Sequence, residues 1–133
     1  MEERVNAVKN RKALVVEDSH LIHKMYEIML RPTTLVSAFD GREGLEKLNE
    51  SPDVDMIILD INMPKMTGLD FLGQVKATPA LAKIPVIIVS TEGKEEDVAR
   101  GLQSGAVAYL RKPFQREDLL KIVNHIESKQ TAA

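Results

Sequence analysis

The sequence predicts an α/β fold: a doubly wound, five-stranded parallel sheet with helices on both faces. Three observations predict it. Five short apolar runs recur along 133 residues. Segments with helical period separate them, giving a (βα)5 alternation that implies parallel strands joined by right-handed crossovers. The runs themselves are near-continuous blocks rich in Val and Ile, the pattern of strands covered on both sides.

The first run, Ala13-Leu14-Val15-Val16, ends in Glu17-Asp18. A helix follows, with Ser19 as N-cap and Pro32 ending it at about Arg31. Its apolar face is expected to carry Leu21, Met25, Ile28 and Met29. The second run, Leu35 to Phe39, closes on Asp40-Gly41, which reads as a turn; a helix over Gly41 to Glu50 then presents Leu45 and Leu48. Met56-Ile57-Ile58-Leu59 is the third run and ends in Asp60. Phe71, Leu72 and Val75 mark a third helix that stops before Pro79. The fourth run, Val86-Ile87-Ile88-Val89, ends in Ser90-Thr91. Val98 and Leu102 mark the fourth helix, which Gly105 is placed to stop. The fifth run, Val107 to Leu110, leads into Arg111-Lys112-Pro113; Leu119, Ile122, Val123 and Ile126 then show the i, i+3, i+4, i+7 spacing of a last helix. Residues 12–127 form the expected domain, with 1–11 as an N-terminal extension and 128–133 as a loose C-terminal tail.

Composition narrows the function classes. Eighteen Lys and Arg stand against 20 Asp and Glu, a net charge of −2. That balance lacks the basic stripe of a nucleic-acid reader. Cysteine is absent, which excludes disulfides, thiolate zinc sites and cysteine nucleophiles. No apolar run approaches the roughly 20 residues of a membrane helix, and Met1 to Lys12 is too polar for a signal peptide. The expectation is a cytoplasmic protein with neither nucleic acid nor membrane as partner.

In open parallel sheets ligands bind beyond the carboxyl ends of the strands, where strand order reverses. Glu17, Asp18, Asp60, Ser90, Thr91 and Lys112 all follow runs and would gather there. Three neighbouring carboxylates need a compensating cation. Oxygen ligands without imidazole or sulfur favour Mg²⁺, with Mn²⁺ also suitable. Carboxylates, metal, lysine and hydroxyl together suit phosphoryl transfer, with one Asp as candidate nucleophile. The glycine-rich loop of a nucleotide site is missing, so another phosphodonor is favoured.

Five motifs then carry a resemblance: Val15-Val16-Glu17-Asp18, Leu59-Asp60-Ile61-Asn62-Met63-Pro64, Thr67-Gly68-Leu69, Ile88-Val89-Ser90-Thr91 and Lys112-Pro113-Phe114. In this order and spacing, from about Lys12 to Ile126, the chain resembles the receiver domain of bacterial two-component response regulators, closely the stand-alone CheY-like kind. The resemblance implies strand order 2-1-3-4-5. It implies Asp60 as phosphoacceptor and Asp18, Asp60, Glu17 (through water) and the backbone carbonyl of Asn62 as the Mg²⁺ set. Lys112 and Ser90 would bind phosphoryl oxygens, and Tyr109 would be an aromatic switch. It implies a cis peptide before Pro113 and makes Gly68, in the Thr67-Gly68-Leu69 motif, a structural residue. Thr91 stands where the family usually has Ala or Gly, so slow dephosphorylation is expected.

Each residue also has a plainer reading. Glu17-Asp18 could serve only the dipole of the first helix, worth about 0.3–1 kcal/mol. Ser90 and Lys112-Pro113 could be strand-end punctuation, and Tyr109 a half-buried ring. His20, His23 and His125 read as surface residues, the methionines as packing, and Glu92 as a residue able to overhang the site.

The resemblance implies a single-domain signalling protein, not an enzyme beyond its own phosphotransfer and autodephosphorylation. A sensor histidine kinase would be its phosphodonor. A protein target, chemotaxis-type or other, would bind the surface of the fourth helix, fifth strand and fifth helix (α4-β5-α5). On that reading, the receiver is expected to use nearly all of these residues and to signal through its own surface. A monomer or a weak phosphorylation-dependent dimer is expected. The alternatives are a phosphorelay intermediate that passes phosphate to a histidine phosphotransfer protein, and a degenerate receiver acting as a constitutive interaction module. A phosphatase of the haloacid-dehalogenase kind would need a second Asp where Asn62 stands.

Overall fold

A computed structural model describes residues 11–61, 68–91 and 94–132. Among them lie five strands, β1 (Lys12–Val16), β2 (Thr34–Ala38), β3 (Met56–Asp60), β4 (Val86–Ser90) and β5 (Ala108–Arg111). Five helices alternate with them: α1 (His20–Met29), α2 (Gly41–Glu50), α3 (Gly68–Ala77), α4 (Glu95–Gln103) and α5 (Arg116–Ala132). The strands form one sheet of order β2-β1-β3-β4-β5, parallel throughout.

The continuous apolar runs are explained by two cores, one on each face of the sheet. Leu14, Val16, Ile57, Leu59, Val86 and Ile88 face Phe71, Leu72 and Val75 of α3, with Leu48 and Val98 from α2 and α4. Their strand neighbours Ala13, Val15, Ile58, Ile87 and Val89 face Tyr26 of α1 and Leu119 and Val123 of α5. Side chains alternate across a strand, so a strand with apolar cover on both faces must be apolar at every position. Each such Val, Leu or Ile contributes about 1.5–3 kcal/mol of burial.

The ends of the elements follow local chemistry. Ser19 caps α1 by accepting from the Ile22 N–H at 3.2 Å, and Asp40 caps α2 by accepting from Glu43 at 2.8 Å. Gly105 terminates α4 in a left-handed turn, φ +118°. α1 stops at Met29, short of the expected Arg31, because the Leu30 N–H closes on Tyr26 O and Thr33 on Leu30 O.

Three expectations need correction. The buried face of α1 is set by His23 and Tyr26, with Ile22, Met25 and Met29 beside them. Leu21 and Ile28 point outward, 76% and 62% exposed. This helix is apolar around most of its circumference, so its period does not fix its phase. α5 continues to Ala132, so residues 128–132 are helical and not a loose tail. That stretch has no Gly or Pro to break the helix. Phe39 lies outside β2, its ring stacked on His20 with centroids 4.1 Å apart.

Gly44 of α2 is dictated by α3. A Cβ there would stand 2.7 Å from Phe71 Cε1 and 3.2 Å from Val16 Cγ2. Gly44→Ala should therefore cost about 1–3 kcal/mol by overpacking. The cost should shrink in a Phe71→Leu background, which removes the Cε1 atom in the way. Urea unfolding of both singles and the double mutant checks this; strictly additive losses would refute the contact as the cause.

Candidate functional site

All strands run the same way, so the residues after β1, β3, β4 and β5 emerge on one edge. β1 and β3 are adjacent at the centre, in a register that pairs Val16 with Leu59. The next residues, Glu17-Asp18 and Asp60, are thereby neighbours. Carboxylate oxygens of Glu17, Asp18 and Asp60 all lie within 4.8 Å of one another. Glu17 and Asp60 are buried and Asp18 is exposed. Lys112, beyond β5, extends its ammonium to 3.3 Å from Glu17 Oε1 and 3.6 Å from Asp60 Oδ2.

Local bonds hold this group in place. The Ser19 N–H donates to Glu17 Oε2 at 2.9 Å, and the Glu17 N–H donates to Ala38 O at 3.0 Å. The Lys112 N–H donates to Ser90 O at 2.7 Å, tying the end of β5 to β4. Lys112–Pro113 is a cis peptide. Gly68 begins α3 where a Cβ would stand 2.6 Å from Ile61 Cα and 3.0 Å from Asp60 O. Only a glycine lets α3 start that close to the Asp60 backbone.

The remaining expected residues fall as follows. Ser90 is buried at the end of β4, and Thr91 next to it is exposed. Tyr109 on β5 is half exposed. Beside it lies a cavity of about 180 Å³ lined by Ser90, Val98, Leu102, Tyr109 and Arg111. Asn62 and Glu92 lie outside the described residues. His20 and His125 are exposed, whereas His23 is buried, against expectation. Its Nε2–H donates to Glu17 O at 2.7 Å, and its ring packs on Phe39 at 4.4 Å. His23 thus buttresses the strand end that carries Glu17. The i, i+3 spacing of His23 and Tyr26 is the one signal of it in the sequence, and the apolar residues around the rest of α1 mask it.

The electrostatics ask for a cation. Burial, and then the neighbouring Asp18 and Asp60, push the Glu17 carboxyl up to about 7. One lysine cannot balance three carboxylates. The donor set is entirely oxygen, part buried and part open, which fits a hard divalent cation that retains water. Glu17, Asp18 and Asp60 are the residues that would hold it.

Comparison with known proteins adds a family. The model of the response regulator receiver domain matches residues 13–124. The rice two-component response regulator ORR13 is 36% identical over 115 residues, covering 85% of this chain and 95% of that protein. The chemotaxis protein CheY4 of Vibrio cholerae superposes with a TM-score of 0.80 at 36% identity, over 87% of this chain and 98% of that one. The Mn²⁺-bound form of the response regulator Rcp1 gives a TM-score of 0.73 at 31% identity, over 89% and 92% of the two chains.

The raised Glu17 pKa has a signed consequence. Between its ordinary value of 4.5 and about 7, folded metal-free protein holds a proton that the unfolded chain has lost. Glu17 should therefore make stability fall as pH rises through that window. Added divalent cation should reverse the trend and release a proton on binding. Denaturation midpoints at several pH values, with and without Mg²⁺, check both. Glu17→Gln should flatten the metal-free profile; an unchanged slope would refute the assignment.

Proposed function

The chain belongs to the response regulator receiver family, and on that premise we propose that Asp60 accepts a phosphoryl group from a sensor histidine kinase and so switches a protein-binding surface. Receivers as a family take phosphate from histidine kinases and act on downstream targets. The observation that carries the reading here is the buried Asp60 carboxylate in contact with Lys112 and grouped with Glu17 and Asp18. A degenerate receiver would have no need to bury that set together.

In the proposed step an Asp60 carboxylate oxygen attacks phosphorus in line. An O–P bond forms and the P–N bond of phosphohistidine breaks, its electron pair leaving with the imidazole, which takes up a proton. Lys112 pairs with a phosphoryl oxygen and balances charge as it spreads over the group. Asp18, Asp60, the Asn62 carbonyl and Glu17 through water would hold Mg²⁺, or Mn²⁺, which when bound supplies further neutralisation of the phosphoryl oxygens. The Ser90 hydroxyl then bonds a phosphoryl oxygen, and Tyr109 moves into the adjoining cavity. This shifts the equilibrium of the α4-β5-α5 surface, where Leu102 and Tyr109 are exposed. The partner is a protein target of a chemotaxis-type or other two-component pathway. The protein acts in the cytoplasm as a signalling component, and its only chemistry is gain and loss of its own phosphate.

Asp60→Asn should abolish phosphate incorporation from a small acyl phosphate in the presence of Mg²⁺. Persistent incorporation, followed by intact mass, would move the acceptor elsewhere. Thr91 is exposed beside Ser90 and β-branched, a bulk that would crowd the path of attacking water. Thr91→Ala should shorten the lifetime of the phosphorylated form several-fold. An unchanged rate of phosphate release would dismiss the steric argument.

A further inference from the structure

A second cavity, of about 400 Å³, opens at the opposite edge of the sheet, at the amino ends of β4 and β5 and under α5. Its floor is apolar, made by Pro85, Val107, Ile122 and Ile126. Its rim carries Lys76, Lys83 and Lys121, with His125 beside them, and no described carboxylate lines it. None of the three ammonium groups pairs with a carboxylate among the described residues. In a chain of net charge −2 this is a local inversion of sign.

Lys76 is the fixed member. Its Nζ donates to Ala82 O at 2.9 Å and Ile84 O at 3.3 Å, which leaves one of its three donors unused. Its stem is braced by Gly105, where a Cβ would come within 3.0 Å of Lys76 Cε. Two carbonyl dipoles orient the ammonium but do not cancel its charge. Burial accordingly lowers its pKa.

We propose that this cavity binds a small amphipathic carboxylate, with its apolar chain on Val107, Ile122 and Ile126 and its single anionic group on Lys76, Lys83 and Lys121. The volume is that of a small-molecule site, and an apolar floor with a few convergent polar groups is the usual construction of one. The carboxylate supplies the charge that the rim lacks, and the alkyl or aryl body covers floor that now faces water. The site does not involve Asp60, so it stands or falls independently of the phosphorylation reading.

Sodium decanoate, kept below its micelle-forming concentration, is the probe, and the full chain, isotope-labelled, is the receptor. Saturable shifts are expected at the amides of Val107, Ala108, Ile122 and Ile126. Lys121→Gln and Lys83→Gln, both at exposed positions, should each weaken binding by about tenfold, and Lys76→Met by at least as much. Neutral decanol should bind wild type more weakly than decanoate does and bind the lysine variants as it binds wild type. The proposal is overturned if decanoate gives no saturable shift at those amides, if decanol binds as tightly, or if the two exposed-lysine variants bind decanoate as wild type does.

Discussion

Holding three carboxylates together against one lysine is the constraint that ties the rest of the molecule together. Their proximity is not a property of flexible loops. It follows from the pairing of β1 with β3, which sets Val16 beside Leu59 and therefore Glu17-Asp18 beside Asp60. Separating the carboxylates by slipping that register one residue would turn every side chain of a strand to the other face. Val15 and Val16 belong to opposite cores, and so do Ile58 and Leu59. The like-charge repulsion at the edge is thus sustained by the packing of both faces, and it can be relieved only by a proton, a lysine or a cation. The raised Glu17 pKa records the first, the 3.3 Å contact of Lys112 the second, and the all-oxygen donor set leaves room for the third.

The surroundings of the group are built to hold it still. Glu17 is bonded through its amide to β2, through its carboxylate to the start of α1, and through its carbonyl to His23. Asp60 is overlain by the start of α3, where Gly68 permits backbone-to-backbone approach. Ser90 and Lys112 are joined through the main chain. Asp60 is thus linked to β4 and β5 by the Lys112 ammonium and by the main-chain bond from Lys112 to Ser90. On the other sheet edge, the Lys76 cavity uses the amino ends of the same two strands. The two sites share β4 and β5 but no side chain.

How much of this was legible in the sequence depends on whether a feature has a period or a strand end. The strands were legible because both faces are apolar, which compresses each into an unmistakable run. Glu17, Asp18, Asp60, Ser90 and Lys112 were legible as candidates because each directly follows such a run. The phase of α1 was not, since Leu21, Ile22, Met25, Ile28 and Met29 cover too much of its circumference. His23 was misread for the same reason: a buried histidine is announced by its helix phase, and that phase was ambiguous. The extension of α5 past Ile126 was not legible, because Ser128 to Ala132 carry no apolar period to mark it. The lysine-rimmed cavity was invisible for a different reason. Lys76, Lys83, Val107 and Lys121 come from four separate stretches with no shared motif, and only the tertiary fold makes them neighbours.

The position of Tyr109 shows why a small chemical event can suffice in the proposed cycle. The ring is half exposed, and it flanks a cavity of about 180 Å³ whose wall includes Val98 and Leu102. Moving it inward would remove the rest of its apolar surface from water, a gain of about 1 kcal/mol. The same move takes a phenol hydroxyl out of water, which costs about 1–3 kcal/mol unless a partner is found. The two terms oppose each other and leave about 0–2 kcal/mol against the inward placement unless the hydroxyl finds a partner. Ser90 lines the same cavity, and a hydrogen bond from its hydroxyl to a charged phosphoryl oxygen is worth about 1.5–3 kcal/mol. That is enough to offset an imbalance of this size, and drawing Ser90 aside would enlarge the space for the ring. A ligand shifts an equilibrium only by its differential affinity for the two states. A phosphoryl group that bonds Ser90 in only one of them supplies that difference without any rearrangement of the sheet.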